Sequence, residues 1–166
     1  MSARRPGPLL TLLAVIVSVW GCHSEICAID NTLVPRGGVD LQGRMVCLGR
    51  SADEVERQLG QGEVRQDLGV VGVRVLYPGL ALALLYAGPG TSDPLRAITL
   101  LEGARATTEA GLGIGSAEAD ARAELGAPAV DPALGAWFYD EAGLALQWQD
   151  RRLIWIQLFA RPEAAP

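Results

Sequence analysis

Lysine is absent from this chain, and histidine occurs once, as His23. All 14 basic residues are therefore arginines, so no amine is available for Schiff-base or serine–lysine catalysis. A single histidine near the start of the chain excludes serine–histidine–aspartate and cysteine–histidine sites from the globular part. Zinc would also need several histidine and cysteine ligands, which the globular part does not supply. We therefore predict a protein that is not an enzyme and that needs no metal and no cofactor.

Carboxylates are the one catalytic resource left, since the chain has 19 acidic residues. A hydrolase that uses carboxylates alone is the alternative, but Asp131, Asp140 and Glu141 lie in turn-like sequence where acids are ordinary. The formal net charge is -5, and loss of the two charges of Arg4 and Arg5 with a leader takes it to -7. An acidic chain without a basic patch is a poor nucleic-acid binder. No small-molecule substrate is expected either.

A short apolar run near the start, Leu9 to Val19, follows the two arginines and ends close to Gly21 and Cys22. This is the layout of a secretory signal. A transmembrane helix is the alternative, but it needs about 20 apolar residues and this run is too short. We predict that residues 1–21 form a signal peptide.

The residues Val19-Trp20-Gly21-Cys22 resemble the lipobox that bacterial lipoprotein signal peptidase recognises. The resemblance implies cleavage before Cys22, lipidation of Cys22 and attachment to a membrane in the cell envelope. Several acyl chains hold a protein stably, because each buried CH2 contributes about 0.8 kcal/mol. His23 follows the cysteine where an Asp would favour the inner membrane. The periplasmic face of the outer membrane is therefore the favoured location.

Two further cysteines, Cys27 and Cys47, remain once Cys22 carries lipid. An even pair in an oxidising compartment favours a disulfide. A bond between them would close a loop that could stabilise the fold by about 3 kcal/mol. Two buried free thiols are the alternative. We interpret residues 22–47 as a loosely held N-terminal tether, because Pro35 and two glycines interrupt it.

An internal duplication is visible in two segments, Gly49 to Gly60 and Gly115 to Gly126. Each begins with glycine and serine, continues as an acidic amphipathic stretch and ends Leu-Gly, which predicts a helix with a glycine stop. Ser51 with Glu54 forms a capping box, and Ser116 is a plain N-cap. The acidic residues are then a solvated helix surface.

Three strands are predicted after each helix, from alternating and β-branched sequence. The identical GLAL at residues 79–82 and 143–146 is part of this correspondence. The other matched segments are residues 73–77 with 136–139 and residues 97–101 with 153–158. The predicted fold is α+β, with two tandem units of a helix plus a three-stranded antiparallel sheet. The units cover residues 48–104 and 105–160, and residues 161–166 are a predicted disordered tail.

The second unit contains a distinctive series of motifs: Gly115 to Gly126 with Pro128, then Asp131-Pro132, then Trp137-Phe138-Tyr139. In these motifs it resembles the BamE (SmpA/OmlA) family of small outer-membrane lipoproteins. The resemblance implies a non-catalytic scaffolding role beside outer-membrane protein assembly. Tandem units of this shape also resemble the secreted β-lactamase-inhibitor proteins, whose sheet grips an enzyme. The alternative function is therefore an inhibitor or regulator of a periplasmic or secreted enzyme.

Aromatic residues are concentrated in the second unit, which holds six of the eight that remain after signal removal. On the last strand Trp155 and Phe159 share one face, and Trp137 and Tyr139 share a face with each other. We predict these four residues as anchors for a protein partner, because half-exposed aromatics commonly serve this role. The alternative is that the aromatic face packs against the first unit.

Overall fold

A computed structural model describes residues 33–34, 37–41, 43–131 and 134–160. Within these ranges lie two helices, α1 (Ala52–Leu59) and α2 (Glu118–Leu125), together with an antiparallel sheet of eight strands and a smaller sheet of three. The predicted α+β class is confirmed. The strands are β1 (Leu33–Val34), β2 (Gly38–Asp40), β3 (Met45–Cys47), β4 (Val64–Asp67), β5 (Val73–Tyr77), β6 (Leu82–Tyr86), β7 (Leu95–Leu100), β8 (Ala129–Asp131), β9 (Ala136–Tyr139), β10 (Leu144–Gln149) and β11 (Arg152–Phe159).

The eight strands lie in the order β4-β5-β6-β7-β11-β10-β9-β8, and every neighbouring pair is antiparallel. The four strands after α1 form one half of the sheet, and the four after α2 form the other. The halves meet where β7 pairs with β11, with Leu100 opposite Ile156 and Ile98 opposite Leu158. The sheet is therefore continuous across the two halves.

One side of the sheet, the inner face, shares the core with Val55 of α1 and Ala121 of α2. Strand alternation directs large aliphatic side chains to this face, and Leu84, Ile98 and Leu158 are all 0% exposed. Complete burial of each such side chain contributes about 1.5–3 kcal/mol. We call the opposite side the outer face.

Four strands follow each helix, so the prediction of three was wrong. The missed strands, β4 and β8, are the two edges of the sheet. They have four and three residues, and none of them is buried. Edge strands of this kind lack the alternation of buried and exposed residues on which sequence assignment depends. Short edge strands also resist pairing with other chains.

The described part of the predicted tether is folded. Strands β1 to β3 form an antiparallel sheet in which Val39 and Val46 are completely buried. Gly38 lies so close to β3 that a Cβ atom would overlap the carbonyl oxygen of Val46. Glycine therefore permits strand contact here, and the prediction of a loosely held segment was wrong for these residues.

Helix α1 begins at the predicted capping box. The Ser51 hydroxyl accepts a hydrogen bond from the Glu54 backbone N–H at 3.3 Å, and the Glu54 carboxylate accepts from the Ser51 backbone N–H at 3.0 Å. Arg50 lies 3.0 Å from the same carboxylate. The hydrogen bond from the Ser51 backbone, followed by that from Arg50, lowers the pKa of Glu54. The cap therefore holds a charged carboxylate at the positive end of the helix.

Helix α2 begins one residue later than predicted, and the assignment of Ser116 as its N-cap was wrong. The N-cap is Ala117, which makes no side-chain capping hydrogen bond. The Asp120 carboxylate accepts from the Ala117 backbone N–H at 3.0 Å, while the Ser116 hydroxyl accepts from the Gly113 N–H at 3.0 Å. Ser116 thus closes the preceding turn, and one helix donor lacks its usual side-chain acceptor.

Substitution of Ala117 by serine is expected to raise the free energy of unfolding by about 1 kcal/mol. The backbone of Ala117 already has the extended conformation of an N-cap, with φ -82° and ψ 156°, close to the φ -71° and ψ 157° of Ser51 at the start of α1. Urea denaturation measures the change. Ser51→Ala is the matched control and should lower stability by a similar amount. A loss of stability in Ala117→Ser would contradict the cap assignment.

Candidate protein-binding face

The four predicted anchor residues separate into two pairs on opposite faces of the sheet. Trp137 and Tyr139 lie on the inner face, where they are 8% and 6% exposed. Cross-strand pairing places Trp137 opposite Leu146 and Tyr139 opposite Leu144, which are both core residues. Neither aromatic side chain is available to a partner, and this part of the prediction is corrected.

Trp137 is held between a ring and a cation. Its ring centroid lies 4.9 Å from that of Trp148, and the Arg122 guanidinium of α2 lies 4.3 Å from its own centroid. The arginine covers the ring from the helix side, and such a cation–π contact contributes about 0.5–1 kcal/mol at an exposed site. Trp137 therefore stabilises the packing of α2 against the sheet.

The C-terminal end of each helix accepts a hydrogen bond from a tyrosine of the sheet. The Tyr77 hydroxyl donates to the carbonyl of Gly60 at 3.2 Å, and the Tyr139 hydroxyl donates to the carbonyl of Gly126 at 3.5 Å. Both glycines are the residues at which the helices end. Burial, reinforced by the charge of Glu56, raises the pKa of Tyr77 to about 12. Burial also raises the pKa values of Tyr86 and Tyr139.

These tyrosines are expected to make the fold unstable in strong alkali. Each folded-state pKa is raised, so stability is complete below the ordinary value of 10 and falls as pH rises from 10 through about 12. Urea denaturation across that range measures the loss, and Tyr77→Phe should make it less steep. Phenolate absorbance that appears at the ordinary pKa while the chain stays folded would contradict the argument.

Trp155 and Phe159 lie on the outer face, where both side chains are half-buried. They flank Gln157, whose amide donates to the Thr99 hydroxyl at 3.4 Å across the junction of the two halves. The central row of this face crosses six strands. Its members, in sheet order, are Leu76, Ala83, Thr99, Gln157, Ala145 and Phe138.

A depression of about 420 Å³ lies on this face in the first half of the sheet. Its floor consists of small side chains, with Ala83 and Thr99 only 6% and 8% exposed. Its walls are half-buried apolar side chains that include Leu76, Leu101 and Trp155. Leu76 and Leu85 were not among the predicted anchor residues, although the alternation of β5 and β6 assigns them to this face.

Other predicted features lie outside the described residues, among them the signal peptide 1–21, Cys22, Cys27 and the tail 161–166. Cys47 is 3% exposed. Its pairing with Cys27 stays a prediction. Within the described ranges, no group of three or more histidine, cysteine or carboxylate side chains is placed to hold a metal ion. None of the helices in those ranges is long and apolar enough to cross a bilayer.

No family model, no curated protein and no solved structure matches this chain. Interpretation of the outer face therefore depends on its own geometry. That geometry combines a broad strand surface, an apolar depression and an aromatic wall, with no catalytic arrangement among the side chains that line the depression. Such a surface can bind another molecule by burying apolar area.

Proposed function

We propose that this chain is a lipid-anchored, non-catalytic protein-binding module of the bacterial cell envelope, and that it binds its partner through the outer face. The observation that carries the proposal is the half-buried Trp155 at the wall of an apolar depression. Binding hot spots are enriched in tryptophan at positions where a partner excludes water. Phe159 extends this aromatic wall along β11.

The anchor at Cys22 is the second part of the proposal. Leu33, the first described residue, follows Cys22 by eleven positions. A fully extended chain of this length spans about 36–40 Å. A lipid on Cys22 would therefore keep the sheet within reach of partners at the membrane surface, for which the periplasmic face of the outer membrane is favoured.

We further propose that the two halves of the sheet arose from one duplicated unit. The same order of one helix and four strands in each half supports this idea. The matching hydrogen bonds from Tyr77 to Gly60 and from Tyr139 to Gly126 support it as well. A unit of this kind, with its BamE resemblance, favours a scaffolding role connected with outer-membrane protein assembly.

Inhibition or regulation of a periplasmic or secreted enzyme is the second candidate function. The specific observation in its favour is the continuity of the outer face across the β7–β11 junction. Eight strands provide one broad surface, which suits a large, preformed partner such as a folded enzyme. A surface of this kind can bury the area typical of protease–inhibitor complexes, about 1,600 Å² in total.

The proposal is tested by affinity capture from solubilised membranes with the wild-type chain and with Trp155→Ala. We expect the substitution to weaken capture of the specific partner by about 30-fold, the usual effect of losing a hot spot. Val130→Ala is the matched control, because Val130 is 55% exposed but lies on the inner-face side, opposite Trp137.

The identity of the captured protein decides between the two candidate functions. Components of outer-membrane protein assembly would support scaffolding, and a single soluble hydrolase whose activity falls on binding would support inhibition. Full-strength capture of every partner by both Trp155→Ala and Phe159→Ala would refute the outer face as the binding surface.

A further inference from the structure

We infer that the outer-face depression accepts an apolar, preferably aromatic, side chain of the partner that lies beside a carboxylate. The inference rests on the proposed function, that the outer face binds a protein, and it specifies the chemistry of the partner. Three features carry it: the shape of the depression, the state of Arg74 and the distribution of acidic residues.

The shape of the depression suits a large apolar side chain. Cross-strand pairing places Ala83 between Leu76 and Thr99, so the floor is made of small groups next to larger ones. Leu85 and Leu101 complete the walls together with Trp155. Apart from Arg74 and the indole of Trp155, the polar side chains among the described residues that line the depression are Thr99 and Gln157, which bond to each other. A hydrophobic insertion therefore meets little desolvation penalty there.

Arg74 provides the only charge among the described residues that line the depression. Its guanidinium donates two hydrogen bonds to the side-chain oxygen of Gln66, one of them at 3.0 Å. Gln66 is neutral, and Arg74 forms no ion pair within the part of the chain that the structure describes. The glutamine orients the guanidinium without neutralising it, so its remaining N–H groups can receive a carboxylate.

Acidic residues are abundant in the chain, but none of those in the part that the structure describes lines this depression. Many lie on the two helices, which share the core with the inner face. Those of the helices are Asp53, Glu54, Glu56, Glu118, Asp120 and Glu124. A second layer packs about 10 Å from a sheet, while the Debye length at physiological ionic strength is about 8 Å. The acidic helices therefore repel a partner's carboxylate at Arg74 only weakly.

The apolar side chain and the carboxylate of the partner contribute differently to the binding affinity. A desolvated aromatic anchor changes affinity by about 30-fold or more. An exposed arginine–carboxylate pair changes it by about fivefold at most. The depression thus supplies most of the binding affinity. Arg74 gives a preference for those apolar segments of a partner that carry an acidic residue nearby.

The test is a selection of short random peptides, displayed on phage, against the lipidated mature chain in detergent. We expect enriched peptides to combine an aromatic residue or leucine with an aspartate or glutamate a few positions away. Affinities are then measured with synthetic versions of the enriched peptide, in which either the aromatic residue is changed to alanine or the acid to its amide.

Variants of the chain show whether the peptides bind at the depression. Ala83→Leu fills the floor and should weaken binding at least tenfold, whereas Arg74→Gln should remove the preference for the acid over its amide, which is about fivefold or less. Leu85→Ala, which removes a half-buried wall and is less demanding for folding, is the second probe of the depression. Val130→Ala should bind like the wild type, and circular dichroism checks that each variant is folded.

The outcomes distinguish this inference from the proposed function. Enriched peptides that are basic, or that lack an apolar residue, yet lose binding in Trp155→Ala would overturn the inference and leave the outer face as a binding surface. Failure to enrich any peptide would also overturn the inference. Peptides that ignore both Ala83→Leu and Trp155→Ala would count against the inference and the proposed function together.

Discussion

Replacement of Trp137 by alanine is expected to lower the free energy of unfolding by about 3–5 kcal/mol. The side chain is 8% exposed, and its removal leaves a cavity between α2 and the sheet. It also removes the ring contact with Trp148 and the cation–π contact with Arg122. Because a domain of this size is stable by about 5–15 kcal/mol in total, the effect is large. Urea denaturation followed by circular dichroism measures it.

Trp155→Ala is the matched control, since it removes the same side chain from the other face of the sheet. Trp155 is half-buried on a surface, so its loss should destabilise the chain clearly less than the loss of Trp137. The reverse order of the two effects would show that Trp137, and not Trp155, faces solvent. The pair therefore tests the assignment of the two faces without knowledge of any partner.

Replacement of Cys22 by serine is expected to transfer the protein completely from the membrane fraction to the soluble fraction. The thiol is the predicted attachment point for the lipid, and several acyl chains together supply the binding free energy, at about 0.8 kcal/mol for each buried CH2. Cell fractionation with immunoblotting measures the distribution, and mass spectrometry of the mature chain measures the lipid.

Cys27→Ser is the control for Cys22→Ser, because it also removes a thiol near the start of the chain. It should leave the protein on the membrane. If Cys22→Ser stays membrane-bound after washing in salt, the predicted anchor is refuted. A mature chain that begins at a residue other than Cys22 would refute the predicted cleavage site.

The helices were predictable because their signals are local. Ser51 and Glu54 define the start of α1 within four residues, and the Leu-Gly pairs define the ends of both helices. The central strands were predictable from alternation, which also assigned Trp155 and Phe159 correctly to a face separate from Ile156. These features depend on neighbours within one helix turn or one strand.

The remaining features depend on contacts between distant parts of the chain. Alternation showed that Trp137 and Tyr139 share a face, but only the pairing of β9 with β10 shows that this face is the inner one. The repeated GLAL was a misleading guide. The hairpins place Leu82 opposite Tyr77 and Leu144 opposite Tyr139, so residues 82–84 correspond to 144–146. The match of the GLAL sequences is therefore displaced by two residues from the structural match. Because side chains on a strand alternate with a period of two, this displacement leaves every residue on the same face, and alternation does not reveal it.

Strand β11 is the last of the described strands in chain order, yet it lies in the middle of the sheet, between β7 and β10. Until it is in place, β7 and β10 each present an unpaired edge, and both carry aliphatic side chains that are buried in the finished fold. A chain that emerges from its N-terminus onwards therefore completes its sheet only with its final described residues. Loss of the C-terminal strand would separate the two halves, so intact synthesis to Phe159 is a condition for a stable, non-aggregating molecule.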